Sequence, residues 1–141
     1  MIARCFVDSN VIVYARDLTE RDKQERASLW IESLGAAGTG RLSHQVVIEA
    51  YSALTRHDHM DRAAARKYVA SFRFWYPIAT DIEVIEAAWR VQDRFQFNWW
   101  NCLIVAAARI AECAYLLTED LQHDQDLDGI RVVNPFLVEP I

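Results

Sequence analysis

"IARCFVDSNVIVYARD", residues 2–17, decides the reading of the fold. Its first half is a short apolar run suited to a buried strand, and it ends at an acid, Asp8. Ser9 and Asn10 then offer cap chemistry ahead of a second apolar run, "VIVYARD", which reads as a helix. A strand that turns directly into a helix is the opening unit of an α/β domain.

The same alternation continues along the chain. "RDKQERASLWIESL" (21–34) places Ala27, Trp30, Ile31 and Leu34 at helical spacing and meets the glycines Gly35, Gly38 and Gly40, after which "RLS" is a brief strand. "HQVVIEAYSALTRH" (44–57) is a helix burying Val46, Val47, Ala50, Tyr51 and Leu54, and "DRAAARKYVASF" (61–72) is another. "WYPIAT" (75–80) is strand-like, with Pro77 marking an edge or a strand start. Asp81 caps "IEVIEAAWRVQDRF" (82–95), and "FNWWNCLIVAAARI" (97–110) is a strongly apolar helix. "AYLLT" (114–118) and "RVVNPF" (131–136) supply the last strands. Strands joined by helical crossovers imply an α/β class with a mainly parallel central sheet and helices on both faces. No repeat, low-complexity tract or Pro/Gly-rich linker divides the 141 residues, so a single domain over 1–141 is expected.

Composition narrows the function classes. About half the residues are apolar and a quarter charged, as in an ordinary globular protein. No apolar run approaches the ~18 residues of a membrane span, and no signal-peptide pattern opens the chain, so a cytoplasmic protein is expected. Cys5, Cys102 and Cys113 are odd in number and lie in apolar contexts, which points to buried thiols in a reducing compartment. The net charge of −5 gives the whole chain no attraction for nucleic acid. Locally, Arg56, Arg62, Arg66, Lys67 and Arg73 face only Asp58 and Asp61, a strip that reads either as a solvated helix face or as a grip for phosphates.

In a parallel α/β sheet, binding sites lie beyond the carboxyl ends of the strands. Asp8 ends the first strand and Asp120 follows "AYLLT", so both belong at one sheet edge. Asn101 opens the helix that leads to the second of these strands, and Glu49 rides on a helix just after a short strand. Each has an ordinary reading alone: Asp8 a helix cap, Glu49 a solvent-facing acid, Asn101 a partner for free amides of the first turn, Asp120 a turn residue. Asn98 is the better cap for the last of these helices. Together they form an acidic cluster, and at about 4 Å each carboxylate pair repels by roughly 4 kcal/mol at an effective dielectric of 20. Protons or a hard cation must offset that repulsion, and oxygen-only ligands favour Mg2+ or Mn2+ over zinc. Such an ion polarises a phosphoryl oxygen and activates water.

Four blocks in order, "FVDSNVIVYA", "VVIEAYSAL", "WWNCLIVAAA" and "LLTEDLQHDQDLDGIRVVNPF", resemble the PIN-domain ribonucleases, and within them the VapC-type toxins of bacterial toxin–antitoxin pairs. The resemblance covers essentially the whole chain. It implies a PIN-like fold, Mg2+- or Mn2+-dependent endoribonuclease activity on RNA, a homodimer, and inhibition by a small cognate VapB-type antitoxin that inserts a peptide near the site. Matched by position, it assigns the catalytic and metal-binding residues as Asp8, Glu49, Asn101 and Asp120, with Ser9, Asn10 and Thr118 orienting carboxylates or water. Where the family pattern reads "WDALIVAAA", this chain reads "WNCLIVAAA", so Asn101 stands at an expected aspartate. The amide keeps one acceptor oxygen and loses a full negative charge, which predicts a folded protein with weak or absent activity.

A second reading is a non-catalytic module that binds antitoxin or RNA. A third, a domain for phosphorylated small molecules, lacks any glycine-rich phosphate loop after a strand. "HDH" at His57–His59 reads as an inter-helix loop in preference to a metal clip. Trp99 and Trp100 are expected as core and dimer-interface anchors, with base stacking as the other option, and Trp30, Trp75 and Trp89 as core.

Overall fold

The structure is a computed structural model and describes residues 3–56 and 59–140. The strands are β1 (Cys5–Val7), β2 (Gly40–Arg41), β3 (Tyr115–Leu117) and β4 (Arg131–Val133). The helices are α1 (Ser9–Tyr14), α2 (Arg21–Ala37), α3 (His44–Thr55), α4 (Arg62–Ala70), α5 (Ile82–Phe95) and α6 (Trp99–Ile110). All strand pairs are parallel, in the order β2-β1-β3-β4, with Cys5 opposite Gly40 and Tyr115, and Tyr115 opposite Arg131. The α/β class and parallel sheet expected from the sequence are therefore present. Central placement makes β1 and β3 fully apolar at Phe6, Val7, Leu116 and Leu117, none of which touches water.

Helices cover this short sheet. α1 packs against α2 and α3, α3 against α4, α5 against α6, and α6 against β3. α6 buries every residue from Cys102 to Ala108, which its run of alanines and aliphatics dictates. Gly35 does not stop α2; the helix runs on to Ala37 and ends on Gly38, whose φ of 70° is the left-handed cap that glycine adopts without strain. Cys5, Cys102 and Cys113 are buried free thiols, and burial pushes the Cys113 thiol up to about 12.

Two expectations fail here. "WYPIAT" forms no strand: Ser71–Trp75 is a 3-10 turn, Tyr76 takes a left-handed φ of 53°, and Ile78 makes only an isolated parallel bridge to Ser43. Pro77 has no N–H to donate, so extended pairing cannot propagate through it. Trp89 is half exposed, not core, because α5 buries the stripe Val84, Ala87, Ala88 and Val91 and position 89 lies off it. Trp75 is packed against the core beside Gly40, and Trp30 is buried. The basic strip is exposed at Arg56, Arg62, Arg66, Lys67 and Arg73, while His57 and Asp58 of the "HDH" stretch lie outside the described residues. No helix among the described residues is long and apolar enough to cross a membrane.

Candidate active site

Parallel pairing of Val7 with Leu117 brings the residues just beyond β1 and β3 side by side. Asp8 donates its backbone N–H to Leu117 O at 3.0 Å and caps α1, with Oδ1 accepting from Ser9 N at 2.7 Å. Thr118 donates its hydroxyl to Asp8 Oδ2 at 2.8 Å. Asp8 is only 3% exposed, and burial pushes its carboxyl up to about 6. The Thr118 and Ser9 hydrogen bonds oppose that rise, and the nearby charges of Asp120 and Glu49 add to it.

Glu49 reaches the same point from α3. Ser43 caps this helix, accepting from Val46 N, which sets its first turns against the sheet edge. Glu49 Oε1 accepts from Ser9 Oγ at 3.2 Å, and Oε2 accepts from Gln45 Nε2 at 3.3 Å. Gln45 stands four residues earlier on the same helix face and also donates to Trp100 O at 3.3 Å. It therefore ties α3 to the start of α6.

Asn98, not Asn101, caps α6: Asn98 Oδ1 accepts from Asn101 N at 2.9 Å. That frees the Asn101 side chain, which lines the acidic pocket and makes no hydrogen bond among the described residues. Asp120 is exposed at the far side, with its N–H held by Thr118 Oγ1 at 3.1 Å. Asn10 joins the two aspartates. Its Nδ2 lies 3.4 Å from Asp8 Oδ2, 3.2 Å from Asp120 Oδ2 and 3.2 Å from Thr118 Oγ1. The opposite amide orientation would aim a carbonyl oxygen at two carboxylates, so electrostatics fixes this one.

The result is an open pocket of about 470 Å3 whose walls include Asp8, Glu49, Asn101 and Asp120. All four residues singled out in the sequence meet there, and Ser9, Asn10 and Thr118 are bonded to the carboxylates. Gln45 was missed; its place four residues before Glu49 was the available signal. The sequence put Trp99 and Trp100 together, but Trp99 packs on the core while Trp100 is 61% exposed in the pocket wall.

The donor set fits a hard cation: three carboxylates and one amide oxygen, with no thiol or imidazole in the walls. The buried, unpartnered oxygens Asn10 Oδ1 and Gln45 Oε1 also leave acceptor capacity beside it. Among the described residues, however, no three His, Cys, Asp or Glu side chains converge closely enough to enclose an ion. Each carboxylate is turned instead onto neutral N–H and O–H donors.

The family described as PIN domain matches residues 5–125. No curated protein sequence matches the chain. Among solved structures, a toxin–antitoxin complex from Klebsiella pneumoniae is similar at 16% identity and a TM-score of 0.66, covering 96% of this chain and 99% of that one. DNA-bound VapBC from Salmonella typhimurium is similar at 12% identity and a TM-score of 0.63, with 93% and 97% covered. Mycobacterium tuberculosis VapC20, a sarcin–ricin loop cleaving toxin, is similar at 15% identity and a TM-score of 0.58, with 79% and 86% covered. Likeness at these identities is likeness of fold.

Proposed function

The chain belongs to the PIN-domain family, and from that premise we propose that it is a single-domain endoribonuclease of VapC type, the toxin of a toxin–antitoxin pair, weakened by Asn101. One observation carries the reading: Asp8, Glu49, Asn101 and Asp120 line one pocket at the carboxyl ends of β1 and β3. The proposed partners are RNA as substrate, a VapB-type antitoxin as inhibitor and a second copy of the chain, in the cytoplasm. The similar fold of structures solved with an antitoxin supports the second of these.

Asp8, Glu49 and Asp120 would hold Mg2+ or Mn2+, with Asn101 contributing at most its carbonyl oxygen. When bound, such an ion supplies Lewis-acid polarisation of a phosphodiester and activation of water. The chain's own residues do the rest. Thr118 and the Ser9 N–H hold both oxygens of Asp8 in one orientation at the end of β1. Ser9 and Gln45 aim Glu49. Asn10 holds Asp8 and Asp120 a fixed distance apart with a neutral donor. An aspartate at position 101 could accept a proton from attacking water; the amide cannot.

Cleavage of RNA by this chain and by its Asn101→Asp variant, with Mg2+ or Mn2+ and with EDTA, tests the reading. Cutting by the aspartate form alone identifies Asn101 as a disabled ligand. Equal cutting by both removes the charge argument. The neutral amide also favours a second reading, a binding module that engages antitoxin or RNA without cleavage; a folded Asn101→Asp variant that binds RNA and cuts none selects it.

A further inference from the structure

The geometry points to Trp100 as a nucleobase-stacking residue that seats the RNA beside the acidic pocket. The inference rests on the ribonuclease reading and adds a contact that the carboxylates cannot provide. α6 opens with two tryptophans, which the helix points about 100° apart. Trp99 is partly buried against the core, whereas Trp100 leaves 61% of its surface in water. Several other large apolar side chains are exposed, but among the described residues Trp100 is the exposed one that lines the pocket holding Asp8, Glu49 and Asp120.

Its position is fixed from outside its own helix. Gln45 Nε2 donates both to Trp100 O and to Glu49 Oε2, each at 3.3 Å, so one amide sets the backbone of Trp100 relative to a pocket acid. Asn101, the next residue in the chain, lines the same wall.

The pocket needs such a group. Its acids repel a phosphodiester, and binding by charge alone would be confined to whatever the cation offsets. Basic side chains that grip phosphates do so without regard to bases. An indole face attracts any base through stacking, with little regard to sequence, provided that the base is out of a duplex. Trp100 thus selects RNA whose bases are unstacked at the cleavage point, and orients the sugar–phosphate next to that base toward the acids.

The test uses the full chain with Mg2+ and fluorescence anisotropy of labelled oligoadenylate of about twelve nucleotides, against an abasic ribose-phosphate oligomer of equal length. The chain should bind oligoadenylate more tightly than the abasic oligomer by roughly fivefold to a hundredfold. Trp100→Ala should abolish that preference, and Trp100→Phe should keep most of it. A preference retained in Trp100→Ala overturns the assignment, as does a change in sedimentation showing that Trp100→Ala splits a dimer. RNA cleavage by Asn101→Asp, with and without Trp100→Ala, separates this assignment from its premise. If Asn101→Asp cuts and the added Trp100→Ala leaves kcat/KM unchanged, stacking fails and the ribonuclease reading stands. If Asn101→Asp cuts nothing and the parent chain shows no preference for bases, both fail.

Discussion

Thr118 and Asp8 are joined by a 2.8 Å hydrogen bond that spans 110 positions of sequence and links the ends of the two central strands. Both residues are buried, so the hydroxyl has no water to compete with. Thr118→Val keeps the shape and removes the donor. The expected result is a loss of about 1–3 kcal/mol in urea unfolding, the cost of leaving a buried acceptor short of a partner. Thr118→Ser should recover most of it.

Burial of Asp8 makes stability depend on pH. Its carboxyl titrates at about 6 in the fold against 3.8 when free, so the folded state holds the proton more tightly. Unfolding therefore releases a proton between these values, and the metal-free protein loses stability as pH rises from 3.8 to about 6. The gap corresponds to roughly 3 kcal/mol. Urea melts with EDTA across this window should show the fall in the parent chain and a flatter profile in Asp8→Asn.

Placing a charge at position 101 should have opposite effects with and without metal. For carboxylates about 4 Å apart, an added charge costs about 1–4 kcal/mol, depending on the local dielectric. Asn101→Asp should melt lower than the parent chain in EDTA. It should also gain more in Tm on Mg2+ or Mn2+ addition, because ligand binding to the folded state alone stabilises it. Equal gains in the two proteins would count against a ligand at this position.

Gly40 is required for a packing reason. A Cβ there would stand 2.5 Å from Trp75 Cζ3, deep inside van der Waals contact with a ring that is itself packed on the core. Gly40→Ala should destabilise by about 1–3 kcal/mol, as overpacked sites do. Combining it with Trp75→Leu should cost less than the sum of the two single changes.

How much of this was legible beforehand differs by element. Asp81 and Asn98 cap their helices as their side-chain chemistry indicates, and period-3.6 apolar stripes locate α3 and α5 to within a residue or two. The strands were overread, since two- and three-residue strands carry too little alternation to mark their ends. "WYPIAT" has the composition of a strand, but a left-handed Tyr76 followed by a proline overrides it. The meeting of Asp8 and Asp120 was legible because parallel pairing puts strand ends at one edge. For Gln45 the spacing to Glu49 was a signal, but its bond to Trp100 O was not legible, because it joins α3 to α6 and no local pattern records contacts between helices. The opposite fates of Trp99 and Trp100 likewise depend on which side of α6 faces its neighbours.

The order in which the pocket's walls appear along the chain has a consequence for synthesis. Asp8 and Glu49 emerge from the ribosome early, while β3 and Asp120 come only in the last quarter of the sequence. Until β3 slots in beside β1, Asp8 lacks its Thr118 partner and the pocket has no far side. A nascent or prematurely terminated polypeptide therefore carries Asp8 and Glu49 without the pocket they line, and the pocket is complete only when translation of that copy is nearly over.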